Sequence, residues 1–261
     1  MATFLFDKII FGPIKSRRLG ISLGVNLLPV DQKLCSFDCV YCECGWNPKQ
    51  RKEKPVMPTA ELVKEKLEMQ LQKMVADNEL PDVITFAGNG EPTLHPQFKS
   101  VIKDTIALRD RYCPKAKVAV LSNSTRIEHD DVVEALKLVD DNIMKLDGGT
   151  EEIIRAIDQP VGKFDLSKTI KLLQRFNGEM ILQTLFMRGV YNGTSVDNTT
   201  TEEVNAWIEC VKQINPRQVM IYSLDRDTPA DNLIKVQKED LEKIASYARE
   251  RVPDHISITV S

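Results

Sequence analysis

Three cysteines stand within one eight-residue run, Cys35-Ser36-Phe37-Asp38-Cys39-Val40-Tyr41-Cys42. A Cys-x3-Cys-x2-Cys spacing puts three thiolates on one short loop. That is one ligand short of a closed tetrahedral zinc site and one short of saturating a four-iron cubane. On a cubane, the shortfall leaves one iron open to a ligand that is not protein. Cys44 adds a fourth sulfur nearby, so a zinc knuckle on Cys35, Cys39, Cys42 and Cys44 is the competing reading. Structural zinc sites usually draw two cysteine pairs from separated turns, and no second pair exists here. The spacing therefore favours a cluster over zinc. A disulfide framework is not expected in a cysteine-poor chain of this length.

The second group of candidates is Gly88-Asn89-Gly90-Glu91-Pro92-Thr93-Leu94-His95-Pro96. After a strand, glycine lets a ligand approach the backbone more closely than a Cβ would allow. The ordinary alternative is a tight turn before a helix, with Pro96 as an early helix residue. Ser122 and Asn123 offer hydrogen bonds to ribose or carboxylate groups, and Asp147 offers an acceptor for hydroxyls; turn chemistry explains all three equally well. Lys145 and Gln183 are polar residues inside apolar runs, so each is a candidate to face a substrate. Lys145 could equally snorkel outward between helices. Arg17 and Arg18 could pair with an anionic group, or merely face solvent. Cys210 shares a face with Trp207 and Val211 and reads as a core residue. Cys113 and the scattered His95, His129 and His255 show no metal-binding spacing.

The elements that must position these residues alternate. Helical spacing at Val63, Leu67, Leu71 and Met74 precedes the apolar run Val83–Ala87. The same alternation recurs before Val118–Leu121, Ile143–Leu146, Met180–Phe186, Val219–Tyr222 and Ile256–Val260, with an early strand near Ile21–Leu28 feeding the cysteines. Such βαβ units build a parallel sheet. Six strand–helix units and a trailing strand fall short of the eight of a complete barrel. The expected fold is therefore α/β, a partial (β/α)6 TIM-like barrel, in one domain over residues 1–261 with residues 1–20 as an N-terminal extension. Ligands gather at the carboxyl ends of parallel strands. That is where the cysteines, Gly88–Glu91, Ser122-Asn123, Asp147 and Tyr222-Ser223 fall.

The chain has 261 residues, 42% apolar and 28% charged, with net charge −3. This argues against a surface that grips nucleic acid all over, though a local basic patch survives the argument. The first dozen residues lack the basic start and long apolar core of a signal peptide. No apolar run approaches the roughly 18 residues of a membrane span. A cytoplasmic location is expected, and a reducing interior suits an oxygen-sensitive cluster.

The cysteine run matches the signature of the radical S-adenosylmethionine (SAM) superfamily, which this chain resembles. Gly88–Glu91 resembles that family's Gly-Gly-Glu motif with Asn89 inserted. Together with the segments Gly12–Pro29, Cys35–Trp46, Lys145–Gly149 and Gln183–Phe186, it looks like the wyosine-synthase-like branch. Authentic tRNA wyosine synthases hold a second cluster on three cysteines upstream of the motif, whereas no cysteine precedes Cys35 here. The resemblance implies a radical SAM fold and an enzyme that cleaves SAM reductively to a 5′-deoxyadenosyl radical, which abstracts hydrogen from a substrate not yet identified. It implies a [4Fe-4S] cluster on Cys35, Cys39 and Cys42. It further implies SAM contacts from Tyr41, Gly88, Asn89, Gly90, Glu91, Ser122, Asn123, Asp147 and Gln183, and an electron donor such as a flavodoxin or ferredoxin. RNA is an alternative substrate, drawn from Arg17, Arg18 and Lys49–Lys54. A non-catalytic zinc or iron–sulfur protein is the alternative from another class.

Overall fold

The computed structural model describes residues 4–16, 20–49 and 55–261. Arg17, Arg18, Arg51, Lys52 and Lys54, on which the RNA alternative mostly rests, lie outside the described residues.

The strands are β1 (Ile10–Ser16), β2 (Gly20–Val25), β3 (Val83–Phe86), β4 (Lys117–Ser122), β5 (Asp141–Lys145), β6 (Ile181–Leu185), β7 (Met187–Tyr191), β8 (Thr194–Ser195), β9 (Gln218–Tyr222), β10 (Leu233–Lys235) and β11 (Ser257–Val260). The helices are α1 (Ala60–Ala76), α2 (Phe98–Tyr112), α3 (Asp130–Leu136), α4 (Glu151–Asp158), α5 (Leu166–Leu173), α6 (Thr201–Ile214) and α7 (Lys238–Arg249). An eight-stranded sheet runs in the order β1-β2-β3-β4-β5-β6-β9-β11. Neighbours from β2 to β11 are parallel, and β1 pairs antiparallel with β2 at one edge. This is the α/β partial barrel the alternation predicts.

Local chemistry explains the helices. Thr59, Thr150, Asp165 and Thr200 cap α1, α4, α5 and α6 by accepting from backbone N–H groups of the first turn, which otherwise lack partners. Val63, Leu67, Leu71 and Met74 make the buried stripe of α1 at helical spacing. Side chains of each strand alternate between two faces. Ile84, Phe86, Val118, Val120, Met144, Leu182 and Val219 join the core under the helices. Val83, Ala119, Ile143 and Ile181 form a separate apolar cluster on the opposite face, with Leu121 and Met220 partly covering it. Lys145 and Gln183 stand two residues beyond Ile143 and Ile181 and are register partners. Both therefore share the face away from the helices.

Three features depart from the sequence expectation. The first barrel strand stops at Val25 rather than Leu28, because the Asn26 side chain bonds both N–H and C=O of Leu28 and turns the chain. Part of the expected N-terminal extension is β1, an edge strand of the main sheet. Finally, β10, β7 and β8 form a separate three-stranded sheet. Asn198 fixes its start by accepting from Met187 N–H and donating to the carbonyls of Asp147 and Leu185. Among the described residues, no helix is long and apolar enough to cross a membrane.

Candidate active site at the cysteine loop

The loop after β2 is stitched down on two sides. On one side Leu34 pairs with the segment leaving β3: Leu34 N–H donates to Asn89 O (2.8 Å), and Glu91 N–H to Leu34 O (3.2 Å). On the other side the end of α4 takes Asp38 N–H at the Asp158 carbonyl (3.0 Å) and Val40 N–H at the Ile157 carbonyl (2.9 Å). Val161 N–H donates back to Ser36 O (2.8 Å). Cys35, Cys39 and Cys42 are thus held at the carboxyl ends of the strands by main-chain bonds, which do not depend on side-chain identity.

The close stitching is why glycine flanks Asn89. A Cβ on Gly90 would stand 1.9 Å from the Leu34 carbonyl oxygen, and one on Gly88 would stand 2.4 Å from Asn26 Oδ1. Both glycines have φ near +140°, where side chains are strained (+145° and +141°). Asn89 itself is fully buried. Its amide accepts from Phe6 N–H (2.8 Å) and donates to the carbonyls of Phe6 (2.9 Å) and Pro29 (2.8 Å). Glu91 is equally occupied. Its carboxylate accepts from Thr93 N–H, the Thr93 hydroxyl, the Ser122 hydroxyl and Asn123 N–H, at 3.1, 2.5, 2.9 and 2.6 Å. Burial raises the Glu91 pKa above the usual carboxyl range, although those four donors oppose it. This carboxylate ties the exit of β3 to that of β4.

Each cysteine sulfur has its own surroundings. Cys35 accepts from Phe37 N–H (3.4 Å) and Asn123 Nδ2 (3.5 Å). Cys39 accepts from Lys145 Nζ and donates to Asp158 Oδ1, both at 3.1 Å. Cys42 is hydrogen-bonded by Cys44, whose sulfur also lies 3.4 Å from Gly88 O. That bond lowers the Cys42 thiol to about 5, whereas burial pushes Cys35 up to about 12 and Cys39 well above the usual thiol value. Lys33 is buried beside the loop, with Nζ donating to Gly45 O (2.8 Å) and Asp38 Oδ1 (3.2 Å). Burial works against its charge, but Cys42, Cys35, Cys39 and Asp38 together raise its pKa. A cation within range of three thiols offsets the charge they carry as thiolates.

Tyr41 and Asp147 meet: the phenol donates to Asp147 Oδ2, while Asp147 Oδ1 accepts from Leu185 N–H (2.7 Å). Lys145 Nζ donates to the Tyr41 oxygen (2.5 Å) and sits 4.7 Å from the ring centroid. Ser36 joins Asn123 (2.9 Å) and Thr125 (2.6 Å) across the β4 exit. The structure therefore gathers Tyr41, Gly88, Gly90, Ser122, Asn123 and Asp147 around the three cysteines, and Gln183 shares the Lys145 face. Lys33, Asp158, Ser124 and the stacked pair Trp46–Tyr191 (5.6 Å between centroids) are additions that periodicity did not single out. Ser124 is buried with φ +67°, and its hydroxyl has no hydrogen-bond partner among the described residues. Its position one residue after Asn123 was the available signal.

No three His, Cys, Asp or Glu side chains among the described residues converge on one point as ligands of a single metal ion. Three thiolates that contact three different irons of a cubane need no common point, so the donor set fits that group.

A model described as the Radical SAM superfamily matches residues 30–197. A UPF0026 protein of Helicobacter pylori is 32% identical over 224 residues, covering 84% of this chain and 67% of that protein. A protein named GTPase Obg from Brachyspira hyodysenteriae is 29% identical over 247 residues, 93% of this chain but 34% of that protein. Among solved structures, Streptococcus suis SuiB bound to S-adenosylmethionine aligns with TM-score 0.62 at 14% identity, over 90% of this chain and 50% of SuiB. Archaeal TYW1 aligns with TM-score 0.55 at 14% identity, over 88% of this chain and 72% of that one. The chain thus spans about a third of the Brachyspira protein and half of SuiB.

Proposed function

The chain belongs to the radical SAM superfamily, whose members use a [4Fe-4S] cluster and SAM, and we propose that it is an enzyme whose cluster is held by Cys35, Cys39 and Cys42. The observation that carries this reading is the doubly stitched loop, which fixes three thiols at the carboxyl ends of the sheet while leaving a fourth iron without a cysteine from the motif. When bound, the cluster and SAM would supply a one-electron reductive cleavage of SAM and, through it, hydrogen abstraction from a substrate, with Cys35, Cys39 and Cys42 holding the cluster. The electron comes from a low-potential protein such as a flavodoxin or ferredoxin.

The chain's own residues position and shield that chemistry. Gly88 and Gly90 let the β3 exit close on Asn26 and the Leu34 carbonyl, which holds that backbone beside the cysteine loop. Asn123 and Ser124 contribute polar groups at the next exit, with Tyr41, Asp147 and Gln183 across the mouth. Asn89 and Glu91, expected among the SAM contacts, have side chains committed to protein partners. We therefore place both as supports that hold the ligand-facing backbone. Lys33 offsets thiolate charge, and loading the cluster displaces the protons that burial keeps on Cys35 and Cys39. Residues 1–261 act as one radical SAM domain, with the substrate entering over the face that bears Lys145 and Gln183.

The test is iron and acid-labile sulfide per chain after anaerobic reconstitution, on wild type and single variants. Cys35→Ala, Cys39→Ala and Cys42→Ala are each expected to lose the four-iron absorbance, while Cys210→Ala keeps it. One zinc with no sulfide in wild type would favour the non-catalytic reading instead.

A further inference from the structure

Of the three motif cysteines, Cys39 alone takes a hydrogen bond from a formally charged donor among the described residues. Cys35 meets a neutral amide and a backbone N–H, and Cys42 a neutral thiol. At Cys39 three atoms touch one another: Lys145 Nζ and Asp158 Oδ1 each lie 3.1 Å from Sγ and 3.2 Å apart. The arrangement is rigid from both ends. Lys145 closes β5 and is held by the Tyr41 oxygen, by Asp147 Oδ2 (3.4 Å), and over the rings of Tyr41 and Phe37. Asp158 is the last residue of α4, 1% exposed, and its own carbonyl receives Asp38 N–H from the cysteine loop. Lys145, whose side chain is 18% exposed, and the buried Asp158 are thus set on one sulfur, the ammonium donating to it and the carboxyl group accepting from its thiol.

We propose that Lys145 and Asp158 are an opposed charge pair that sets the reduction potential of the cluster through Cys39, Lys145 raising it and Asp158 lowering it. The inference rests on the reading of Cys39 as a cluster ligand. Reduction adds one negative charge, which spreads onto the ligating sulfurs. A positively charged N–H donor on sulfur stabilises the reduced form more than the oxidised form, and a neighbouring carboxylate does the reverse. Hydrogen bonds to sulfur, net charge and solvent access are the levers a protein has over such potentials.

The experiment is a spectroelectrochemical titration of the anaerobically reconstituted full chain, following the cluster absorbance. Lys145→Met is expected to lower the potential, so that at fixed applied potential the reduced-to-oxidised ratio falls at least tenfold, equivalent to about 59 mV for a one-electron couple. Asp158→Asn is expected to raise that ratio, the double variant to fall between, and Lys145→Arg to remain near wild type. Intact clusters whose potentials do not move in Lys145→Met and Asp158→Asn, or move in the same direction, would overturn the proposal. Should Lys145→Met fail to load, Asp158→Asn decides: an upward shift supports the pair, and an unmoved potential refutes it. Wild-type protein that takes up no cluster would sink the underlying reading, whereas a loaded cluster indifferent to both substitutions sinks only this inference.

Discussion

Gly90→Ala tests the proposition that backbone stitching, more than any side chain, places the cysteines. The added Cβ would sit 1.9 Å from the Leu34 carbonyl oxygen and 2.5 Å from its carbon. Relief even to 3.0 Å requires the two segments to part by about 1.1 Å (3.0 minus 1.9), since both neighbours are backbone. That parting breaks the bonds Leu34 N–H to Asn89 O and Glu91 N–H to Leu34 O. Each is worth about 0.5–1.5 kcal/mol. Residual strain at φ +141° adds about 1–3 kcal/mol. The sum is about 2–6 kcal/mol, a large part of a typical stability of about 5–15 kcal/mol. Because Cys35 follows Leu34 directly, the damage falls on cluster loading as well as on folding. The assay pairs urea unfolding of the apoprotein with iron and sulfide per chain after reconstitution. Cys210→Ala is the control, since Cys210 is a buried residue of α6 whose thiol bonds Gly149 O (3.6 Å) rather than the cysteine loop. A Gly90→Ala protein within about 0.5 kcal/mol of wild type and fully loaded with iron would show that the stitching does not place the cysteines.

Glu91→Gln keeps the shape but puts an NH2 where a carboxylate oxygen now accepts from Asn123 N–H or from the Thr93 and Ser122 donors. A loss of about 1–3 kcal/mol is expected, with weaker SAM binding measured by calorimetry; unchanged values of both would contradict the role as a clamp. His95 is buried, with Nε2–H donating to Pro58 O (2.7 Å) and Nδ1 accepting from Gln97 N–H (3.2 Å), so a second ring proton has nowhere to go. Burial lowers its pKa, the Pro58 carbonyl opposing. Below the unfolded value of about 6.5 the unfolded chain takes a proton that the folded one refuses. Stability should therefore fall as pH drops through that window, by at most about 1.4 kcal/mol per pH unit, and His95→Gln should remove that slope. Denaturant midpoints between pH 7.5 and 5 that keep the wild-type slope in the variant would rule this out.

The barrel was legible because its strands are short apolar runs separated by helices with regular buried spacing. Val83–Phe86 and Val219–Tyr222 need no context to read as strands. β1 was not legible: Gly12 and Pro13 interrupt its apolar pattern, and only pairing with β2 makes it a strand. β8 and β10, at two and three residues, are too short to show any period. α4 carries only eight residues, yet its end anchors the cysteine loop. At the site, the cysteine spacing and the glycines could be read from sequence because each residue type has one strong chemical use. The occupations of Asn89 and Glu91 could not, since an amide or carboxylate serves a ligand or a neighbouring strand equally well. Lys33 and Asp158 were invisible for a related reason. Their partners lie on the cysteine loop, and for Asp158 the partner, Cys39, is more than a hundred residues away in sequence.

The most direct measurement is 5′-deoxyadenosine released from SAM by the anaerobically reconstituted chain under dithionite, quantified by chromatography with mass detection. Wild type is expected to form 5′-deoxyadenosine and methionine, Cys35→Ala, Cys39→Ala and Cys42→Ala to lose both, and Cys44→Ala to retain them. A fully loaded wild-type cluster that leaves SAM intact under these conditions, or one that requires Cys44 as its fourth ligand, would contradict this expectation.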